Sequence, residues 1–151
     1  MSPLADLRAP QTIDVVTRFG VFQASPRDVV RVADGLPGFE SCRQYVIVSS
    51  PELEPFTCLQ GLDDPRPSFL VIDPRLVAAD YHVALSPADR RRLDVAPGDT
   101  LLWLALVRIG DGSDASVNLR APIVVNPRRM AGLQVIAADS PYALQHPLHG
   151  D

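Results

Sequence analysis

The sequence has 151 residues, of which 46% are hydrophobic and 21% charged, with a formal net charge of −4; this composition indicates one globular domain and excludes a disordered chain. The longest apolar run, 101–107, is too short for a membrane helix, and residues 1–11 lack a signal-peptide core. We therefore expect a cytoplasmic protein with no membrane partner. All 14 basic residues are arginine, which excludes Schiff-base and Walker-type lysine chemistry.

Short β-strands dominate the predicted secondary structure. Fifteen prolines interrupt the chain, and the apolar stretches between them alternate or run continuously, as strands do. In chain order the predicted strands are 12–17, 28–33, 44–48, 57–62, 68–73, 80–85, 100–109, 115–119, 123–125 and 133–138. The run 101–107, which contains Trp103, is predicted to be core because a continuous apolar strand has no solvent face.

Helical signals are few and short. Ser86 followed by Pro87 predicts the start of one short helix, and Gly98 its end. Asp73–Pro74 and Ser140–Pro141 each resemble a cap followed by a single turn. We therefore predict a mainly all-β fold, a small antiparallel β-barrel-like domain of about ten short strands with one or two short helices.

Charge is concentrated in the middle of the chain. Residues 34–80 hold eight acidic and three basic side chains, a net charge of −5. Such a segment repels phosphate, which disfavours direct binding to nucleic acid. It suits a basic protein partner.

Few side chains suggest bound metal or cofactor chemistry. The three histidines, His82, His146 and His149, have no metal-ligand spacing, and Cys42 and Cys58 match neither CxxC nor a zinc ligand set. We expect the cysteines to be reduced core thiols and the protein to carry no cofactor.

Asp63-Asp64-Pro65 is the one candidate for acid–base chemistry. Adjacent carboxylates could act with a tail histidine in a small hydrolase. In a proline-containing loop they could equally cap a turn or contact a partner. The sequence has no GxSxG, HExxH or GxGxxG motif to support catalysis.

Five segments carry a resemblance to a known family. They are GLPGFE at 35–40, LQGLDDPRPSFLVIDP at 59–74, ADYHVALSPADRRRL at 79–93, SVNLRAPIVVNP at 116–127 and QVIAADSPYALQHPL at 134–148. Together they resemble the FliW flagellar assembly factor family over residues 12–148. Residues 1–11 are then expected to form a flexible extension, and residues 149–151 a tail.

The resemblance implies a β-barrel protein without enzymatic activity. Family members bind flagellin and the RNA-binding translational regulator CsrA. A member free of flagellin binds CsrA and relieves its repression of flagellin translation. The alternatives are the small hydrolase above and a purely structural component of the flagellum.

Residue roles follow from the same segments. Gly35, Pro37 and Gly38 are expected to form a tight turn, and Asn118 either satisfies backbone groups near Pro122 or faces a partner. The candidate partner-binding residues are Phe39, Glu40, Asp63, Asp64, Asp73, Asn118 and Arg120.

Overall fold

A computed structural model describes residues 12–110, 114–136 and 139–148, so the predicted extension at 1–11 and tail at 149–151 lie outside the described residues. The described part contains one α-helix, α1 (Pro87–Arg92), and two 3-10 helices, Pro26–Asp28 and Pro74–Leu76. Its eleven strands are β1 (Ile13–Thr17), β2 (Gly20–Ala24), β3 (Val29–Val32), β4 (Gln44–Val48), β5 (Thr57–Gly61), β6 (Ser68–Ile72), β7 (Leu102–Ile109), β8 (Ala115–Val117), β9 (Ile123–Asn126), β10 (Ala131–Gln134) and β11 (His146–Leu148).

Seven strands close into a barrel. The main sheet runs β11-β8-β7-β6-β5-β4-β3-β10-β9, and an additional pairing between β7 and β9 closes the seven strands from β7 to β9 into a ring. β8 and β11 extend the sheet beyond the ring, and the β1–β2 hairpin lies against β4 and β5. The predicted all-β barrel is confirmed.

One pairing departs from the antiparallel pattern. β3 and β10 are parallel, with Ala131 opposite Arg31 and Gly132 opposite Val32. An antiparallel barrel was predicted from the sequence. β3 and β10 are instead far apart in sequence and meet only where the barrel closes, so no turn dictates their relative direction.

Both faces of the barrel wall are covered. The interior cluster includes Val30, Tyr45, Leu59 and Ile123, each no more than 1% exposed. On the outside, smaller clusters lie under the β1–β2 hairpin, under the segment around Tyr81, and under the region that follows α1. Neighbouring residues of one strand therefore enter different clusters, as the alternation of strand side chains requires. Both cysteines are buried free thiols, as predicted.

β7 is less uniformly buried than its apolar sequence suggested. Leu104 faces the barrel interior and Ala105 enters an outer cluster, but Leu102 is 36% exposed and Trp103 is only half-buried. The prediction that all of 101–107 is core was therefore wrong at its start. The reason is position, since this end of β7 lies at the rim of the barrel, where neighbours cover only part of each side chain.

Residues 80–85 do not form the predicted strand. The alternation was real, because Tyr81, Val83 and Leu85 pack into outer clusters. The main chain, however, pairs with no strand in the described residues; the His82 N–H donates to the Tyr142 hydroxyl at 2.9 Å. Alternation reports which side chains are buried, and the same burial can occur without a hydrogen-bonded ladder.

Three smaller predictions also need correction. β2 and β11 were not predicted, because β2 starts at a glycine and β11 contains Pro147, which a strand tolerates only at a sheet edge. Ser140 accepts the Tyr142 N–H at 3.1 Å, but no helical turn follows within the described residues. α1 begins after its predicted cap and ends at Arg92, well before Gly98.

Candidate functional site

The segment 35–40 forms the predicted tight turn. Gly35 has a φ of +67°, and a Cβ there would lie 2.6 Å from the Cα of Glu40. The Phe39 N–H donates to the Leu36 carbonyl at 2.7 Å, while the Leu36 side chain, 2% exposed, is anchored in the barrel interior. Only glycine fits such a conformation and such a close backbone approach without strain, so the turn is rigidly attached to the barrel.

This turn presents one anchor and one exposed charge. Phe39 is half-buried and packs edge-on against Phe69, with ring centroids 5.2 Å apart. Glu40 is exposed, and its carboxylate accepts the Gly38 N–H at 2.9 Å. That bond, together with the N–H of Glu40 itself, lowers the pKa of the Glu40 carboxyl below its usual value.

The two aspartates of the 62–67 loop have different surroundings. The Asp63 carboxylate accepts the backbone N–H groups of Arg43 and Gln44, both at 3.0 Å. The Asp64 side chain is 98% exposed and lies 3.7 Å from Arg66. Asp63 therefore holds the loop against the start of β4, whereas the Asp64 side chain is free to contact a partner.

A hydrogen bond brings the turn and this loop side by side. The Ser41 hydroxyl, next to Glu40, donates to the Asp64 carbonyl at 3.1 Å. We call the surface formed by Phe39, Glu40, Asp63 and Asp64 the carboxylate surface. Four of the seven candidate residues thus come together, although 24 positions separate Glu40 from Asp64. Ser41, which joins them, was not among the candidates, and an isolated serine gives no sequence signal.

Asp73 lies at the opposite end of the barrel, after β6. Its carboxylate caps the 3-10 helix Pro74–Leu76 by accepting the Arg75 N–H at 2.9 Å, and it forms an ion pair with the Arg75 side chain at 3.2 Å. Partial burial raises the pKa of Asp73, but the hydrogen bonds from Arg75 outweigh it, so the net shift is downward. The expected cap followed by one turn is confirmed.

Asn118 and Arg120 form a third group. The Asn118 side-chain carbonyl accepts the backbone N–H groups of Arg120 and Ala121, each at 3.0 Å. The Arg120 guanidinium donates to the Tyr142 carbonyl at 2.9 Å. Of the two roles considered for Asn118, satisfying backbone groups near Pro122 is the one that these contacts provide.

The acidic segment 34–80 is divided between several parts of the surface. Asp34 pairs with Arg92 of α1. The carboxylate surface holds three acidic side chains, next to Arg43 and Arg66. The remaining four follow β4 and β6 at the other end of the barrel with one arginine, Arg75. By these counts the net charge is −1 at the carboxylate surface and −3 in the group that follows β4 and β6, so most of the excess negative charge lies away from the carboxylate surface.

The structure does not bring a carboxylate of the 62–67 loop to a described tail histidine. His146 lies on β11, which pairs with β8, so β7 and β8 separate it from β6, the nearer of the two strands that the loop joins. At the usual strand spacing this is roughly 14 Å along the sheet. His149 lies outside the described residues. Within the described ranges, no group of three or more His, Cys, Asp or Glu side chains could hold a metal ion, and no helix is long and apolar enough to cross a membrane.

Comparisons with known proteins identify close relatives of the chain. The family model described as FliW protein matches residues 14–148. A flagellar assembly factor FliW from Moorella thermoacetica is 34% identical over 137 residues, covering 89% of this chain and 86% of the relative. Its counterpart from Geobacter sulfurreducens is 33% identical over 132 residues, covering 87% and 82%.

A solved structure agrees with the sequence relatives. The crystal structure of a flagellar assembly factor FliW superposes with a TM-score of 0.80 at 28% identity, covering 92% of this chain and 99% of that one. The family model, the sequence relatives and the shared barrel all lead to one assignment. The chain belongs to the FliW family of flagellar assembly factors.

Proposed function

We propose that the chain is a cytoplasmic binding protein that binds the translational regulator CsrA and flagellin, one at a time, and so relieves CsrA repression of flagellin translation. Family membership supports a role in flagellar assembly. The observation that carries binding to CsrA is the pair of exposed carboxylates, Glu40 and Asp64, that the Ser41 hydrogen bond holds on a rigid turn and loop.

The chemistry of this surface favours a basic partner. An RNA-binding protein carries basic side chains, and complementary charge accelerates association and orients the two proteins. Carboxylates docked beside an RNA site also raise the local negative potential and disfavour the approach of phosphate. This mechanism needs no bond to be made or broken by the chain.

Replacing one exposed carboxylate tests this proposal. Asp64→Arg reverses a charge on a side chain whose only described polar contact is an exposed ion pair, so it should leave the barrel folded. We expect it to weaken binding to CsrA about tenfold in a calorimetric titration. The loss should shrink at high salt, because exposed charges are screened.

Glu52→Arg is the matched control. Glu52 is exposed, forms no ion pair with a described residue, and follows β4 at the opposite end of the barrel. The two variants therefore have the same net charge. Affinity for CsrA should change by less than about twofold in Glu52→Arg. Equal losses in both variants would attribute the effect to net charge, and no loss in Asp64→Arg would rule out the carboxylate surface.

A further inference from the structure

Gln60 is a buried polar residue beside the 62–67 loop. It lies on β5, is 4% exposed, and was not among the candidate residues. Its side chain is on the same face of β5 as Cys58, which packs under the β1–β2 hairpin. Water has little access to this face, so the Gln60 amide has to form its hydrogen bonds within the protein.

The Gln60 amide bonds to the loop and to both strands that flank it. Its nitrogen donates to the Gly61 carbonyl at 3.0 Å and to the Arg66 carbonyl at 3.1 Å. Its oxygen accepts the Ser68 hydroxyl. Gly61 is the last residue of β5 and Ser68 the first of β6, so one side chain connects the two ends of the loop with Arg66 inside it.

These bonds fix the turn that contains Asp64. The Arg66 N–H donates to the Asp63 carbonyl at 2.7 Å, which closes a turn over residues 63–66. The Asp63 carboxylate holds the beginning of this turn against β4, and Gln60 holds its end. Arg66 has a φ of +53°, a conformation that a residue other than glycine adopts when its surroundings impose it. The position of Asp64 is therefore set by bonds that its own side chain does not make.

The β1–β2 hairpin in turn orients Gln60. The Arg18 N–H donates to the Ser68 hydroxyl at 3.0 Å, and the Arg18 guanidinium donates to the Ser68 carbonyl at 2.9 Å. Because the Ser68 hydroxyl donates to the amide oxygen of Gln60, the amide nitrogen is directed at the Arg66 carbonyl.

We propose that Gln60 is a positioning residue for the carboxylate surface, which holds the 62–67 loop in the conformation that presents Asp64 to CsrA. This role rests on the proposed function and extends it to a buried side chain. A partner that binds one conformation of a loop loses affinity in proportion to the time that the loop spends in others. The bonds of Gln60 therefore raise the affinity by keeping the loop in place before CsrA arrives.

Gln60→Met tests this role. Methionine keeps the length and the unbranched form of the side chain and packs among apolar neighbours, but it cannot donate to the Arg66 carbonyl. We expect Gln60→Met to weaken CsrA binding about fivefold in a calorimetric titration. Added to Asp64→Arg, it should weaken binding less than about twofold further, because it acts through Asp64. No loss in folded Gln60→Met, or equal losses in the two backgrounds, would overturn the inference.

Asn126→Leu is the matched control. Asn126 is another fully buried amide, on β9, and it donates to the Leu93 carbonyl at 2.9 Å, just after α1. Its replacement removes the same kind of bond from a different part of the barrel. CsrA affinity should change less than about twofold in this variant. A loss as large as that of Gln60→Met would show that any buried amide has the same effect, and would also overturn the inference.

Hydrogen exchange on the unaltered chain provides a test that does not depend on folding of a variant. Coupling between two events is reciprocal, so a partner that selects the loop conformation held by Gln60 stabilises the bond that holds it. Saturating CsrA should slow exchange of the Gln60 side-chain amide protons at least twofold, as measured by NMR. Unchanged exchange would overturn the positioning role and leave the proposed function standing. If Asp64→Arg binds CsrA as tightly as the unaltered chain, the carboxylate surface itself is ruled out, and this role with it.

Discussion

Single residues of the 35–40 turn and of the 62–67 loop differ in whether they build the barrel or face outward. Asp63 and Asp64 are neighbours of the same type, yet one carboxylate accepts two backbone N–H groups and the other is almost fully exposed. Gly35 and Gly38 both have positive φ, yet only Gly35 lies against another part of the backbone. Substitutions at such pairs distinguish residues that stabilise the barrel from residues whose side chains are exposed on its surface.

The two glycines of the turn should differ in their contribution to stability. Gly35→Ala places a Cβ 2.6 Å from the Glu40 backbone at a φ of +67°, whereas nothing lies within 4 Å of a Cβ at Gly38. We expect urea unfolding to show a loss of about 3 kcal/mol for Gly35→Ala and about 1 kcal/mol for Gly38→Ala. Equal losses would show that the close approach at Gly35 does not matter.

The two aspartates of the 62–67 loop should also differ in their contribution to the free energy of unfolding. Asp63→Ala leaves the N–H groups of Arg43 and Gln44 without their acceptor, and should reduce the free energy of unfolding by about 1 kcal/mol, since water partly replaces the carboxylate. Asp64→Ala should cost less than about 0.5 kcal/mol. Chemical denaturation of both variants provides the comparison, and a larger loss at Asp64 would contradict the assigned roles.

Polar contacts that could not be predicted from the sequence join the segment after α1 to the region of β9 and β10. Asn126 of β9 is fully buried, and its side-chain amide donates to the Leu93 carbonyl, just after α1, at 2.9 Å. Asp99 accepts the Ala96 N–H at 2.8 Å and forms an ion pair with Arg128 at 3.1 Å. These bonds fasten the segment that follows α1 to the turn between β9 and β10.

The ion pair should make stability depend on pH at acid values. Hydrogen bonds from Arg128 and then from the Ala96 N–H lower the pKa of Asp99 in the folded chain. Its stabilising contribution is therefore complete above the ordinary aspartate value of about 4, and is lost as the pH falls through the lowered folded pKa. We expect the difference in free energy of unfolding between the unaltered chain and Asp99→Asn to shrink as the pH is lowered.

The same comparison in a protein that carries Arg128→Gln tests whether the ion pair causes that pH dependence. In Arg128→Gln the main partner of Asp99 is absent, so Asp99→Asn should produce a smaller and flatter difference across the same pH series. Urea unfolding at each pH measures all four proteins. A difference that grows toward acid pH would contradict the downward shift of the Asp99 pKa.

The sequence was informative about elements where side-chain pattern and main-chain pairing coincide. Proline-bounded apolar stretches located most strands, and Ser86–Pro87 located the start of α1, because capping and φ restriction are local effects. The alternation of Tyr81, Val83 and Leu85 misled, since burial there does not involve strand pairing. The parallel contact of β3 with β10 is a property of barrel closure, and no local pattern encodes it.

The candidate site was predictable to a similar degree. The GLPGFE turn follows from its glycines, and the exposure of Asp64 agrees with a loop aspartate. The meeting of Glu40 with Asp64 depends on the pairing of β4 with β5 and on a hydrogen bond from Ser41. Both are tertiary features that length, charge and spacing do not contain.

At the scale of the whole molecule, the barrel brings a turn and a loop from distant parts of the chain together on one surface. The carboxylate surface presents Glu40 and Asp64 on a turn and a loop anchored in the barrel wall. A groove beside it is lined by two arginines, Arg31 and Arg92, and by two carboxylates, Asp34 and Glu40.

Competition between the two partners tests the central claim most directly. The purified chain is mixed with CsrA, flagellin is added in increasing amounts, and size-exclusion chromatography separates the species. We predict that a complex with CsrA forms first and that flagellin then displaces CsrA, so that two binary complexes appear and no ternary one. A stable ternary complex, or no complex with either protein, would contradict the account.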